Sequence, residues 1–250
     1  MIYRTALLRR YKYILEVIKN RIIEDVLDDY YSSKDTDDIR FNQKIYNKMV
    51  ENYILKTFSN VDLVVLVDSG LIVSKIETLG KFYSVEGFVK KVLEDIDYED
   101  IKREIEKNIE KGISGIVEFL DKNDNVGRLY NKAVVLNSQD YADIVSNTET
   151  VVLSRIVNSL MDEDFEFSDS LLYMSVDVNL LKNLGEVDFV LLAEDNAIDS
   201  GAEISATVYS IVKFCDIVAN EIYDSIKMEV EKILSENYFE EDDFSSYMRL

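Results

Sequence analysis

Residues 61–67 read VDLVVLV and carry the clearest strand signal in the chain. The run is short, rich in β-branched residues, and followed by the turn-type sequence Asp68-Ser69-Gly70. Residues 71–76 have the pattern of a return strand, so this region predicts a β-hairpin. There are two interpretations of Asp68. It is part of a plain turn, or it is a site carboxylate, since open α/β sheets often place carboxylates that bind Mg²⁺ or accept phosphoryl groups at the end of a strand.

A second run has nearly the same pattern as the first. Residues 187–192 (VDFVLL) align with residues 61–66 (VDLVVL) at a spacing of 126 positions. Both a duplication within the chain and a chance recurrence in an aliphatic sequence explain the match. Glu194 and Asp195 end the second run, and because we predict a helix after them, they are the better-placed metal or phosphate candidate. No P-loop accompanies them, and a plain turn is again the favoured interpretation.

The remaining pattern predicts helices around a few strands. Apolar periodicity indicates an amphipathic helix over the first 30 residues, and a second helix after the polar segment 31–38 completes a helical hairpin. Further helices are predicted at 84–93, 97–111, 139–160 (interrupted near Asn147) and 202–234, and further strands at 113–120, 128–136 and 171–178.

The last predicted helix has two interpretations. From Ile204 onward, apolar residues recur at alternating spacings of four and three for about four heptads, which is typical of a coiled-coil seam. The alternative is a long helix across the protein's own sheet, and the breadth of the apolar face favours it. The tail beyond it mixes acidic residues with Tyr238, Phe239 and Phe244, and such tails are either loose or dock on a partner.

Together these elements predict an α+β fold with an N-terminal helical hairpin, an antiparallel or mixed sheet and a long C-terminal amphipathic helix. We expect an N-terminal helical segment, 1–58, and an α+β domain, 59–250, or one continuous domain, 1–250.

Composition excludes several chemistries. The chain has no His, Trp or Pro. Because histidine is missing, Ser-His-Asp and Cys-His catalytic sites and His-ligated zinc are ruled out. One cysteine, Cys215, cannot form an internal disulfide. The apolar runs fall far below the roughly 20 residues of a membrane span, and the N-terminus does not read as a signal peptide. We therefore expect no membrane association, no cofactor and no catalytic residue, and a place in the cytoplasm or in an intracellularly assembled particle.

The formal net charge of −21 is unevenly distributed. Residues 1–58 carry 11 Lys or Arg against 9 Asp or Glu, whereas residues 137–250 carry 6 against 25. Such polarity either serves solubility alone or orients the chain toward other copies or a basic partner. Nucleic acid is not expected, except as a local contact of the basic N-terminal helix.

Residues 61–76 and 187–220 resemble the opening and closing parts of roadblock/longin-type regulatory domains. The resemblance covers under a third of the chain, and the first strand lacks the glycine usual there. It implies a regulatory ligand-binding α/β module, and no family residue is transferred to this sequence.

The leading hypothesis is a non-catalytic structural or assembly protein that acts through protein–protein contacts, for example a virus or phage particle component. Self-association or membership of a larger assembly is expected. The alternatives are the regulatory ligand-binding module and a carboxylate-metal enzyme. The predicted contact residues are basic near the N-terminus and aromatic near the C-terminus: Arg4, Arg9, Arg10, Lys12, Tyr238, Phe239 and Phe244.

Overall fold

Six strands and seven helices form the part of the chain that the computed structural model describes, which is residues 2–32, 41–67, 75–111, 129–160, 167–193 and 202–247. Within it, the side chains of residues 75–79, 202–204 and 236–247 are not described. The elements in chain order are β1 (Tyr3–Leu8), α1 (Tyr11–Ser32), α2 (Gln43–Thr57), β2 (Leu63–Val67), β3 (Lys75–Ser84), α3 (Val85–Asp95), α4 (Tyr98–Lys111), β4 (Asn131–Leu136), α5 (Ser138–Ser159), α6 (Asp169–Leu184), β5 (Phe189–Ala193), β6 (Ala202–Ser210) and α7 (Ile211–Tyr247).

The six strands close into a barrel in the order β1-β2-β3-β6-β5-β4. Strand β1 is parallel to β2 and β4 is parallel to β5, while the other four neighbouring pairs are antiparallel. The predicted α+β class and mixed sheet are therefore confirmed. Closure gives each of the six described strands two hydrogen-bonded neighbours, so none of these six has a free edge.

The barrel interior is a packed apolar core. Side chains that alternate along the strands point inward, and the outward-facing residues between them are buried by helices. Strands buried on both faces read as continuous apolar runs, which explains VDLVVLV. The interior cluster consists of Leu7, Leu63, Val65, Val67, Phe82, Ala133, Val135, Phe189, Leu191, Ala193, Ala206 and Val208.

Two helical layers flank the barrel, one from each half of the chain. Helices α1–α4 pack with Ala6, Leu8, Val64 and Tyr83 on the outer surface of the first three strands. Helices α5–α7 pack on the other three strands in the same way. The outward-facing residues there are the counterparts 126 or 128 positions later: Val134, Leu136, Val190 and Tyr209.

The two halves are structural repeats related by a pseudo-two-fold axis. Each has the order β-α-α-β-β-α, and α4 is the one described helix without a counterpart. Where β3 pairs with β6, Leu79 opposes Ser205, which lies 126 positions later. Where β1 pairs with β4, Thr5 opposes Ala133, which lies 128 positions later. A residue that pairs with its own counterpart marks the axis, so the axis passes through both strand pairs.

Local hydrogen bonds repeat as well. The carboxylates of Asp62 and Asp188 accept the backbone N–H groups of Arg4 and Lys132 at 2.9 and 2.8 Å. The helices after β3 and β6 are capped by the hydroxyls of Ser84 and Ser210. The match between residues 61–66 and 187–192 therefore belongs to a repeat that runs through the fold.

The prediction of a helix over the first 30 residues is wrong at its start, since Tyr3–Leu8 forms β1. Four of these six residues are buried, which is typical of a strand covered on both faces. The predicted helical hairpin remains as α1 and α2. It follows β1 and precedes β2, so segment 1–58 contributes a strand to the barrel, and the proposed division at residue 58 stays a prediction.

Two elements of the second half also differ from prediction. Residues 171–178 lie in α6, where Leu172, Val176 and Leu180 are buried at a helical spacing of four. Residues 202–210 form β6, so the prediction of a helix there is wrong. The prediction failed because residues four apart, such as 204 and 208, lie on one face of a strand as well as on one face of a helix. Helix α5 is continuous past Asn147. Residues 113–120 lie outside the described residues.

The apolar face of α7 packs on the protein itself. Phe214, Cys215, Val218, Ile222, Ile226 and Val230 are all buried in the second helical layer. Of the two interpretations of the four-three spacing, the structure supports the helix that lies on its own domain.

One buried polar contact joins α5 to α6. Asn179 donates from Nδ2 to Thr148 Oγ1 at 3.1 Å, and both side chains are almost fully buried. The residue 126 positions before Thr148 is Ile22, which is buried and apolar. The first half thus fills the corresponding position without a hydrogen bond.

We predict that Thr148→Val lowers the free energy of unfolding by about 1–3 kcal/mol, because it leaves the buried Asn179 amide without its partner. The double variant Thr148→Val/Asn179→Leu should recover most of this loss, since both polar groups are then removed together. Urea denaturation of the two variants and the parent measures the difference. A double variant less stable than Thr148→Val would contradict the prediction.

Candidate interaction surfaces

The three candidate carboxylates, Asp68, Glu194 and Asp195, lie outside the described residues. The preceding strands, β2 and β5, run in opposite directions and end at opposite ends of the barrel. The next described element after β5 is β6, so the predicted helix behind Glu194 and Asp195 is wrong. Among the described residues, no three Asp, Glu or Cys side chains are grouped closely enough to hold a metal ion.

The predicted basic residues do not share one helix. Arg4 is exposed on β1, Arg9 and Arg10 link β1 to α1, and only Lys12 lies in the helix. Arg9 donates to Asn131 Oδ1 at 2.6 Å and stacks its guanidinium 5.3 Å from the Phe189 ring centroid. Arg9 therefore joins the two halves, while the other three are exposed.

The aromatic residues Tyr238, Phe239 and Phe244 fall in the last part of α7, whose side chains the structure does not describe. Their predicted role in contacts stays a prediction.

Helix α6 presents an exposed apolar face. Met174, Val178 and Leu181 are spaced by four and three residues, so they lie side by side on the helix surface. They are 58, 52 and 48% exposed. Asp177 is exposed beside them. We call these four residues the α6 face.

Helix α2 is the counterpart of α6. The N-cap residues Asn42 and Ser168 are 126 positions apart, and the buried residues of α2, Tyr46, Val50 and Ile54, match Leu172, Val176 and Leu180 at the same spacing. The two helices therefore use the same side to pack on the barrel layer, and their outer sides correspond.

The outer side of α2 has a different character. Lys48 and Asn52 stand where α6 has Met174 and Val178, and Lys44 precedes Lys48 by one turn. Two apolar side chains, Ile45 and Leu55, are 37 and 39% exposed on the same side. Glu51, the exposed counterpart of Asp177, lies between Lys48 and Leu55, and we call Lys44, Ile45, Lys48, Glu51, Asn52 and Leu55 the α2 face. Each face carries one carboxylate, and the α2 face differs from the α6 face by its two lysines.

A cleft of about 620 Å³ opens where the axis passes through the β1–β4 pair. Its lining comes in counterparts from both halves: Ile2 and Tyr130, Arg4 and Lys132, Thr5 and Ala133, Asn60 and Glu186, Val61 and Val187. Val134 and residues 182–185 at the end of α6 complete it. There Gly185 has φ 76°, a conformation that favours glycine. We call this the seam cleft.

The lining of the seam cleft is cationic in a strongly acidic chain. Arg4, Lys132 and Lys182 face one lining carboxylate, Glu186. The ion pair between Lys132 and Glu186 is long, at 3.8 Å, and exposed. Among the described residues, Arg4 and Lys182 have no carboxylate within 4.0 Å of their charged nitrogens.

Sequence reasoning selected Arg4 and missed both helix faces and the rest of the cleft. The α6 face was hidden because residues 171–178 were predicted as a strand. The only sequence signal for the cleft was the spacing of 126, which pairs Asn60 with Glu186 and Val61 with Val187.

Cys215 is a buried residue of the protein core. It lies in the apolar face of α7 and is 4% exposed. Burial, with a smaller contribution from Asp177, raises the pKa of its thiol from 9.0 to about 12. The thiolate, which is the reactive form, is therefore scarce in the folded protein at neutral pH.

Comparison with protein-family models, with curated proteins and with solved structures finds no match to this chain. No helix in the described ranges combines the length and apolarity needed to cross a bilayer.

We predict that Cys215 resists an aromatic disulfide reagent at pH 8 in the folded protein and reacts rapidly in denaturant. Burial raises the pKa of the folded thiol, so the unfolded protein loses this proton at a lower pH than the folded protein does. The contribution of the protonated thiol to the free energy of unfolding is therefore fully present below pH 9 and is lost as the pH rises toward 12. Absorbance of the released thiolate follows the reaction. Rapid labelling without denaturant would show that the thiol is accessible.

Proposed function

We propose that this protein is a non-catalytic assembly component whose partner is a second copy of the same chain, bound α6 face to α2 face. The observation that carries the proposal is the complementarity of two corresponding helix surfaces. One is apolar with a carboxylate, and the other has two lysines, one carboxylate and two apolar groups. A finer assignment, to a virus or phage particle in the cytoplasm, rests on composition and remains part of the proposal.

The apolar contribution comes from the α6 face. Three neighbouring side chains that are each about half exposed form a continuous apolar strip, unlike isolated surface residues. Burying them on a partner removes apolar surface from water, which is favourable at about 25 cal/mol per Å². Ile45 and Leu55 on the α2 face give that strip apolar side chains to contact.

Charge selects the α2 face as the partner of the α6 face. Two α6 faces brought together would place Asp177 near its own copy. On the α2 face the two positive charges of Lys44 and Lys48 exceed the one negative charge of Glu51, so the net charge there is opposite to that of Asp177. The wider distribution acts in the same direction, since the helical hairpin belongs to the segment with a small positive balance and α6 to the segment with 25 acidic residues. Complementary fields orient such an encounter and suppress the like-charged one.

A contact between two different faces has a defined consequence for assembly. After one α6–α2 contact forms, each copy retains one unused face. The two remaining faces either meet each other, which closes a symmetric dimer, or bind further copies. Both arrangements depend on the same pair of surfaces.

The non-catalytic part of the proposal rests on the sequence, which lacks histidine, and on the burial of Cys215. The carboxylate-metal enzyme remains an alternative hypothesis that depends on residues outside the described ranges.

We predict that two variants, each monomeric alone, associate when they are mixed. Val178→Glu breaks the α6 face and Lys48→Glu breaks the α2 face. The mixture still contains one intact α6 face and one intact α2 face, so it forms a heterodimer. The parent protein associates at low salt and less at high salt, because screening weakens the charged part of the contact. Sedimentation velocity and native mass spectrometry measure both effects.

Matched controls are Val212→Glu and Lys90→Glu, which make the same substitutions at exposed positions on α7 and α3. Both should associate like the parent. A parent that stays monomeric at high concentration would overturn the proposal. So would a Lys48→Glu protein that dimerises alone, because that result indicates an α6–α6 contact.

A further inference from the structure

The seam cleft differs from the two helix faces in position and chemistry. It lies over the β1–β4 pair, on the pseudo-two-fold axis, and its volume falls within the roughly 300–1,000 Å³ of small-molecule sites. Its walls combine charged groups with the apolar side chains Ile2, Val61 and Val187 and the ring of Tyr130. A mixed lining of this kind suits a ligand with an apolar body and a charged group.

The strand register sets the distance between two of the cations. Arg4 opposes Val134, and Lys132 lies two residues from Val134 on the same face of β4. Such diagonal neighbours have Cα atoms about 7–8 Å apart. Both side chains are long, so their charged ends can converge on one group above the seam. Lys182 approaches the same cleft from the end of α6.

Negative groups near the cleft are already partly engaged. Asp62 and Asp188 do not line it, and each accepts a backbone N–H, from Arg4 and Lys132 respectively. The Glu186 side chain is 97% exposed and is free to turn toward solvent. The carbonyl end of α6 adds about half a negative charge, and the full positive charge of Lys182 in its last turn offsets it.

From this arrangement we infer that the seam cleft binds a small organic phosphate. Three cations reach the cleft from β1, β4 and α6. A phosphate carries nearly two charges and three strong acceptor oxygens that point in different directions, so it can engage cations from separate elements. A carboxylate offers two coplanar oxygens and is satisfied by one arginine. The apolar wall and Tyr130 contact the remainder of the ligand.

The inference does not depend on self-association, because Arg4 and Lys132 belong to neither helix face. The test uses the full chain and three probes: inorganic pyrophosphate, ADP and adenosine. Isothermal titration calorimetry should show saturable binding of pyrophosphate and tighter binding of ADP, with Kd values at or below about 1 mM. Adenosine, which lacks the phosphate, should not bind.

The variants separate the cleft from general charge effects. Arg4→Gln/Lys132→Gln should raise the Kd for ADP at least tenfold, since each lost charge-assisted bond contributes about that factor. Lys182→Gln should raise it less. The matched control Lys90→Gln changes the net charge outside the cleft and should leave the Kd unchanged.

Two results would overturn the inference: no saturable binding of pyrophosphate or ADP below about 1 mM, or equal affinity in the parent and the Arg4→Gln/Lys132→Gln protein. Equal binding of ADP and adenosine would also overturn it, because the phosphate would then contribute nothing. Sedimentation of the double variant gives an independent reading, since its association should match that of the parent whatever the titrations show.

Discussion

Closure of the barrel across the pseudo-two-fold axis is the constraint on which the rest of the structure depends. Each half supplies three strands in the order β1-β2-β3 or β4-β5-β6, and each such sheet has two open edges. An open edge presents a row of unpaired N–H and C=O groups. Only the antiparallel pairs β1–β4 and β3–β6 satisfy them, so neither half completes its hydrogen bonding without the other.

The two repeats resemble each other more closely at their buried positions than at their outer positions. Most outward-facing core positions stay buried in both halves, and some keep the same residue, as Phe88 of α3 and Phe214 of α7 do, whereas Ile22 and Thr148 differ. Outer positions are free of that demand, and Lys48 and Met174 differ completely at corresponding sites. A symmetric scaffold therefore carries two dissimilar helix faces, while the seam between the halves keeps a cation on each side.

Much of the fold was predictable from the sequence, and the failures have physical causes. The strand at 61–67 and the helices that begin at Val85 and Tyr98 were identified because propensity and burial agree there, with Ser84 as a cap for the first of these helices. Residues 3–8 were predicted as helix and form a strand, and residues 171–178 were predicted as strand and lie in a helix. Both errors arise because short apolar runs fit the period of a helix and that of a strand. Ile204 and Val208 misled for a related reason, since a spacing of four is common to helix and strand.

The site was less accessible to sequence reasoning than the fold. Arg4 is visible as a basic residue, but its nearness to Lys132 depends on a strand pairing between residues far apart in the chain. The difference between α2 and α6 becomes meaningful only once the two helices are known to be counterparts. Both facts follow from the repeat, which the sequence indicated through six residues alone.

The same long-range pairing has a consequence for biosynthesis. Strand β3 must wait for β6, whose residue Ser205 is made 126 positions after its partner Leu79. At about 5–20 residues per second, a nascent chain takes roughly 6–25 s to pass from Leu79 to Ser205, and the β3 edge has no partner strand during that interval. During that interval the ribosome-bound chain is exposed to edge-to-edge pairing with other nascent chains on the same message. Synthesis of β6, which pairs with β3, ends that exposure.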